Sequence, residues 1–249
     1  MSFTLRAALL AGLALGAMPA HAADPAFTPA QRADIISIVR DALKSDPSIL
    51  RDAVKALQAD DDAKEAAATQ AALTTHHDQI FANKADAIAG NANGDVTVVE
   101  FYDPRCPYCR RMLPGIDTML QKDKGVRLVF KEIPVLGPAS TLEARAIVAA
   151  QKQGGYAKMQ TALMTNPAQP TTDMISDTAK SIGLNATKLA ADMKSDETTK
   201  RIGANLDLAH ALNITGTPTF IVGEQVIPGM VDVSQLQSAI GDARKHAAN

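Results

Sequence analysis

Residues 96–109 read VTVVEFYDPRCPYC, and most of the architecture follows from them. Val96 to Tyr102 is rich in β-branched and aromatic residues and follows the turn cluster Gly90-Asn91-Ala92-Asn93-Gly94-Asp95, the pattern of a buried strand. Residues 106–122 then carry a helical pattern, and Val126 to Ile133 (VRLVFKEI) reads as a second strand. Strand, helix and strand in that order make a βαβ unit, which sets the strands parallel with a right-handed crossover. From Ser140 to about Leu212 the pattern is helical, broken at Gly154-Gly155, around Pro167 and Pro170, and at Gly183, so several helices are expected. Thr219 to Val222 and Gln225 to Ile227, joined by Gly223-Glu224, read as an antiparallel hairpin, and a closing helix starts near Val233. The expected fold class is α/β.

Upstream, residues 28–59 show two short helices. Thr28 is a candidate N-cap with Pro29 at the first helical position, and Ile35, Ile36, Ile38, Val39, Ala42 and Leu43 form a broad apolar stripe. Asp46-Pro47 restarts the pattern, with Leu50, Val54 and Leu57 at i, i+4, i+7. Residues 60–85 have high helix propensity but almost no large apolar side chain before Ile80 and Phe81, which reads as a solvated connecting rod. The upstream apolar faces are therefore expected to be buried by self-association through residues 28–57, the alternative being that they pack back on the main domain. Arg6, the twelve-residue apolar run at 7–18 and the small-x-small triplet Ala20-His21-Ala22 read as a cleaved secretory signal over residues 1–22. The run is too short for a spanning helix, which takes about 20 apolar residues.

The chain has 249 residues, 46% of them hydrophobic, and a formal charge of −2. That excludes wholesale disorder and leaves no basic excess for phosphate neutralisation, so nucleic acid is not an expected partner. Two cysteines cannot staple a disulfide scaffold, so they are expected to act chemically. His76-His77 lies on the polar rod and reads as solvated, and the methionines within helical patterns read as core filler.

Cys106-Pro107-Tyr108-Cys109 sits where the first strand gives way to a helix. A thiol at a helix N-terminus meets unpaired backbone N–H groups and the positive end of the dipole, both of which favour the thiolate. Cys106 is expected to attack, and Cys109, one turn on and protected, to resolve the mixed disulfide. Half of a zinc site and an inert structural disulfide are the blander readings. Zinc needs four ligands, and a four-residue loop constrains the unfolded chain little.

FYDPRCPYC after a valine-rich strand and TGTPTFIVG before a hairpin resemble the DsbA group of thioredoxin-fold proteins over about residues 86–245. The resemblance implies a thioredoxin-like core over residues 86–249 with a helical domain inserted at about 138–212, preceded by a helical extension over 23–85. TPAQRADIISIVRDALKSDPSIL further resembles the N-terminal extension of ScsC-like proteins, where such helices oligomerise. Carried over by position, Pro218 is the cis-proline facing the cysteines, with Thr217 before it. Glu100 and Lys131 match the family's buried acid and lysine beneath the active site, where the acid exchanges protons with Cys109 and the lysine offsets its charge. The chain departs from the strongest oxidants of the group at Tyr108, where those have histidine; tyrosine supplies no charge, which implies a less oxidising couple.

The function implied is that of a periplasmic thiol:disulfide oxidoreductase with no cofactor beyond a redox-active Cys106–Cys109 disulfide and no metal. Its partners would be protein clients and a membrane redox partner, either a DsbD- or ScsB-like reductant or a DsbB-like oxidant. Isomerase or reductase activity is favoured. A DsbA-type dithiol oxidase is the alternative, and a copper-binding or chaperone module the rival from another class. A glutaredoxin reading, suggested by CPYC, is disfavoured by the signal peptide and the inserted helices.

Overall fold

A computed structural model describes residues 27–247 of the chain; the apolar run read as an export signal lies outside them. Contacts divide the chain into a unit ending at Asp61 and a unit starting at Asp62. The first unit holds α1 (Pro29–Ser45) and the beginning of α2 (Ser48–Thr75). Thr28 caps α1 through a reciprocal capping box with Gln31, with Pro29 in the first turn. Asp46 Oδ1 accepts the Ser48 amide at 3.0 Å and so covers an orphan donor where α2 starts. α1 has no buried residue, and its apolar stripe is exposed from Ile35 to Leu43, as are Ile49, Leu50, Val54 and Leu57 of α2.

The second unit is a five-stranded sheet in the order β1-β3-β2-β4-β5, formed by β1 (Ala87–Gly90), β2 (Val96–Tyr102), β3 (Val126–Glu132), β4 (Thr219–Val222) and β5 (Gln225–Pro228). β2 and β3 are parallel and joined through α4 (Pro107–Lys122); the other pairings are antiparallel. Between β3 and β4 come five helices: α5 (Pro138–Gln151), α6 (Tyr156–Thr165), α7 (Thr172–Ser181), α8 (Ala186–Met193) and α9 (Asp196–Ala211). α10 (Val233–Ala247) closes the chain. This is the α/β thioredoxin-like architecture with helices inserted between the βαβ half and the hairpin half.

Strand alternation sorts the core into two layers. Val98, Tyr102, Leu128, Phe130, Phe220 and Val222 pack with α4, α10 and the inserted helices. Val99, Phe101, Val129, Ile133 and Ile221 pack on the other side against Leu73 of α2, Leu208 and Ala209 of α9, and Ile80 of α3 (His77–Phe81). Met112, Met119, Met159, Met164 and Met193 are buried within the first layer.

Two features differ from the expectations. The segment 60–85 is solvated only over its first part: residues 60–68 are exposed on α2, whereas Leu73 and Ile80 are buried and Ala72 and Phe81 partly so, covering one face of the sheet. Four apolar side chains near its end suffice because β2 and β3 already supply the rest of that layer. β1 itself was unanticipated, since Ala-Ile-Ala-Gly offers one large apolar residue and runs into a turn-like cluster. Gly90 is required there. Its φ is +73°, and a Cβ would stand 2.6 Å from the Val126 carbonyl oxygen, so the strand can approach β3 only with glycine at its end.

Truncating a fully buried isoleucine leaves a cavity and costs about 2–5 kcal/mol. Ile80→Ala is therefore expected to lower the unfolding free energy of the sheet domain by that amount in urea titration. A change within about 0.5 kcal/mol, the usual size at solvated positions, would return residues 76–81 to solvent.

Candidate active site

β2 ends in a tight turn that delivers Cys106 to the start of α4. The Cys106 amide donates to the Asp103 carbonyl at 3.0 Å, and the buried Asp103 carboxylate fixes the turn from inside. Its Oδ1 accepts the Arg105 amide at 2.7 Å, and its Oδ2 accepts the amides of Val135 and Leu136 at 2.8 and 2.9 Å. Cys106 is the N-cap of α4 with extended backbone, Pro107 opens the helix, and no side chain caps the first turn. The first-turn amides of α4 are thus left without a serine or aspartate cap at the position Cys106 occupies.

Opposite stands the cis Thr217–Pro218 peptide, immediately before β4. Cys106 Sγ donates to the Thr217 carbonyl at 3.2 Å, and the Pro218 carbonyl accepts the Gly229 amide at 2.8 Å. An open groove of about 400 Å³ runs beside this contact, lined by Tyr108, Thr215, Gly216, Thr217 and Met230 among others. Tyr108 is half exposed, and the Arg111 guanidinium lies over its ring at 4.8 Å from the centroid, so a cation accompanies the uncharged tyrosine. Cys106 is only 4% exposed, and the groove lies beside it through the shared Tyr108 and Thr217.

Cys109 is buried one turn into α4. Burial pushes its thiol well above the ordinary range, and the charge of Glu100 adds to the rise. Glu100 itself is buried on β2, opposite Phe130 and Phe220, on the sheet face that α4 covers. Burial raises its carboxyl to about 8, with the charge of Asp117 contributing. A protonated acid thus sits within electrostatic reach of the resolving thiol at neutral pH.

Lys131 is placed elsewhere. It pairs with Phe101 in the register and therefore faces the opposite layer from Glu100. Its buried ammonium binds the Asp86 carboxylate and donates to the Gln79 carbonyl at 2.5 Å. The expectation that Lys131 offsets the charge of Glu100 beneath the cysteines is corrected: Asp86 is its partner, and Glu100 has no basic neighbour among the groups that shift it. A one-residue step along β3 is enough to exchange one face for the other.

The site also contains groups that the motif reading passed over. Asp103 fixes the turn into the motif, and Arg105 and Arg110 bracket the cysteines and bind the buried Glu143 of α5. Farther along the same face, Tyr156 links Tyr102 at 2.9 Å to Glu132 at 2.5 Å, and Glu132 is clamped by Arg201 and Asn205. The signal available was the presence of charged residues inside otherwise apolar strands and directly beside the cysteines.

Residues 97–241 match the family described as the DSBA-like thioredoxin domain, and residues 31–64 match the copper resistance protein ScsC N-terminal domain. A thioredoxin-like oxidoreductase from Silicibacter pomeroyi is 40% identical with a TM-score of 0.65, covering 68% of this chain and 97% of its own. Proteus mirabilis ScsC in a transitional conformation is 28% identical with a TM-score of 0.64, covering 89% and 98%. A Na(+)/H(+) antiporter NhaA from Salinispora tropica is 27% identical over 160 residues; this is 64% of the chain but only 24% of the antiporter's length. A redox loop at a helix start, a proline peptide opposite it and a family match over more than half of the chain agree: the chain belongs to the DSBA-like thioredoxin domain family, and its residues 97–241 are a thiol:disulfide oxidoreductase domain.

Proposed function

We propose that the protein is an exported, periplasmic enzyme that exchanges disulfides with protein clients through Cys106 and Cys109, working in the isomerase or reductase direction. The observation that carries the reading is the Cys106 sulfur at the N-terminus of α4, in contact with the Thr217 carbonyl beside cis Pro218. In reduction, the Cys106 thiolate attacks a client disulfide, the client S–S bond breaks and one client sulfur leaves. Cys109 then attacks Cys106 while its proton passes by way of the Glu100 carboxyl to the departing client sulfur, releasing the second client thiol; two electrons pass to the client and Cys106–Cys109 is oxidised. In isomerisation, a second client thiolate displaces Cys106 instead, with no net electron transfer. Thr217 and Pro218 present backbone along which an extended client segment can add as a strand. A membrane reductant of the DsbD or ScsB kind would keep the pair reduced.

The uncharged Tyr108 supports the reductive direction, while Arg111 above its ring favours the oxidase alternative by restoring a nearby cation. Export rests on the apolar run at 7–18. Among the described residues no helix is long and apolar enough to cross a membrane. Assembly into a homo-oligomer through residues 28–57 rests on their exposed apolar stripe, each of whose large side chains gains about 1.5–3 kcal/mol on full burial.

Insulin reduction is expected from the mature wild-type chain and lost at least a hundredfold in Cys106→Ser, while Cys109→Ser accumulates the mixed disulfide. Activity surviving in Cys106→Ser sinks the catalytic reading, and a couple near −120 mV, the potential of the strongest oxidants, sinks the reductive direction. Light scattering of the full mature chain is expected to give an oligomer that Val39→Asp with Leu50→Asp dissociates. A wild-type monomer ends the assembly proposal.

Because the Glu100 carboxyl is raised from 4.5 to about 8, the folded chain keeps a proton that the unfolded chain has released across that interval. The stability attached to it is complete below pH 4.5 and lost as pH rises toward 8. Glu100→Gln cannot ionise, so wild type should lose stability relative to it between pH 5 and 8 by several kcal/mol, at about 1.4 kcal/mol per unit. Chemical denaturation at three pH values checks this, and a constant difference would mean that Glu100 titrates as it does in water.

A further inference from the structure

Two arginines bracket the cysteine pair, and the exchange chemistry uses neither. Arg105 immediately precedes Cys106, and Arg110 immediately follows Cys109. Both reach one fully buried carboxylate, Glu143 on α5. Arg105 Nη1 donates to Oε1 at 3.2 Å, and Arg110 Nη2 donates to Oε2 at 3.1 Å and to Oε1 at 3.4 Å. Their remaining contacts are main-chain carbonyls: Arg105 Nη1 to Ala168 at 2.9 Å, and Arg110 Nη1 to Asn166 at 2.8 Å and Nη2 to Leu163 at 3.2 Å. Arg110 Nε also donates to the Pro104 carbonyl at 2.7 Å, while its amide donates to the Cys106 carbonyl at 3.0 Å. The Arg110 side chain thus folds back from the first turn of α4 to the residues that lead into Cys106.

The inserted helices therefore grip the redox loop at both ends through a single carboxylate. The arginine side chains are 16% exposed and that of Glu143 is wholly buried, so these charges are weakly screened by solvent. Burial pushes the Glu143 carboxyl up, and the guanidinium groups of Arg110 and Arg105 oppose that rise. Both guanidinium groups lie in hydrogen-bond contact with it, which favours its ionised form, and in that form the triplet carries a net single positive charge.

We propose that Glu143 is a positioning residue of the redox site, anchoring Arg105 and Arg110 at the two ends of the Cys106–Cys109 loop and cancelling one of the two positive charges that favour its reduced, thiolate form. The inference rests on the thiol:disulfide exchange reading. Removing the Glu143 charge leaves two uncompensated cations at the ends of the loop, which stabilises the thiolate of the reduced pair and makes the disulfide a stronger oxidant. Removing the Arg105 charge does the opposite. A purely structural tie predicts no such reversal, because losing either partner loosens the same loop.

The test equilibrates the full mature chain with mixtures of glutathione and its disulfide. The Cys106–Cys109 disulfide and two glutathione thiols yield the protein dithiol and one glutathione disulfide, and alkylation of free thiols reads the reduced fraction. Glu143→Gln is expected to raise the equilibrium constant for reduction of the protein at least threefold, and Arg105→Gln to lower it at least threefold. At about 30 mV per tenfold, each is a shift of about 15 mV. Shifts of the same sign, or none in either variant, overturn the proposal. If Glu143→Gln fails to melt cooperatively, Arg105→Gln is compared with Arg105→Lys, which keeps the charge: a constant lowered only in Arg105→Gln upholds the proposal, and any other pattern overturns it. A wild-type pair that never equilibrates with glutathione overturns the exchange reading, and this inference with it.

Discussion

The contact of Cys106 Sγ with the Thr217 carbonyl, at 3.2 Å, joins residues 111 positions apart and closes the candidate site across the sheet. Each side is held by a separate device. The β2-to-α4 turn is set by Asp103, whose buried carboxylate satisfies three backbone amides that would otherwise be orphaned. The Thr217–Pro218 side is set by the antiparallel pairing of β4 with β2 and by the Gly229 amide on the Pro218 carbonyl. Because both devices end on the same central strand, the sulfur and the carbonyl are brought together by β2 itself.

Burial then distributes the titratable groups. Glu100 and Lys131 both lie in apolar surroundings, yet the sheet separates them: one faces the cysteines, the other pairs with Asp86 beneath α3. With no basic group among those that shift it, Glu100 has its carboxyl raised to about 8 by burial, near Cys109, whose thiol burial has also raised. A lysine facing Glu100 would have favoured its ionised form. The side of the sheet taken by one lysine thus decides whether the acid beneath the cysteines is a proton store or a fixed charge.

The inserted helices contribute more than bulk. Through Glu143 and the carbonyls of Leu163, Asn166 and Ala168 they receive the two arginines that flank the redox loop. The first unit follows another logic. Thr28 caps α1, yet α1 has no buried side chain among the described residues, so its order is set locally.

The order of strands and helices, the redox pair at a helix start, the Thr28 cap and the Gly223-Glu224 hairpin were legible in the residues, because each depends on periodicity, turn chemistry or a motif only a few residues long. β1, the burial of Leu73 and Ile80, the separation of Lys131 from Glu100 and the convergence of Arg105 and Arg110 on Glu143 were not. Each of these depends on register or on packing between segments far apart in the chain. A strand shifted by one residue turns every side chain to the other face while its local pattern stays nearly the same, so only the assembled sheet could assign each charge its neighbour.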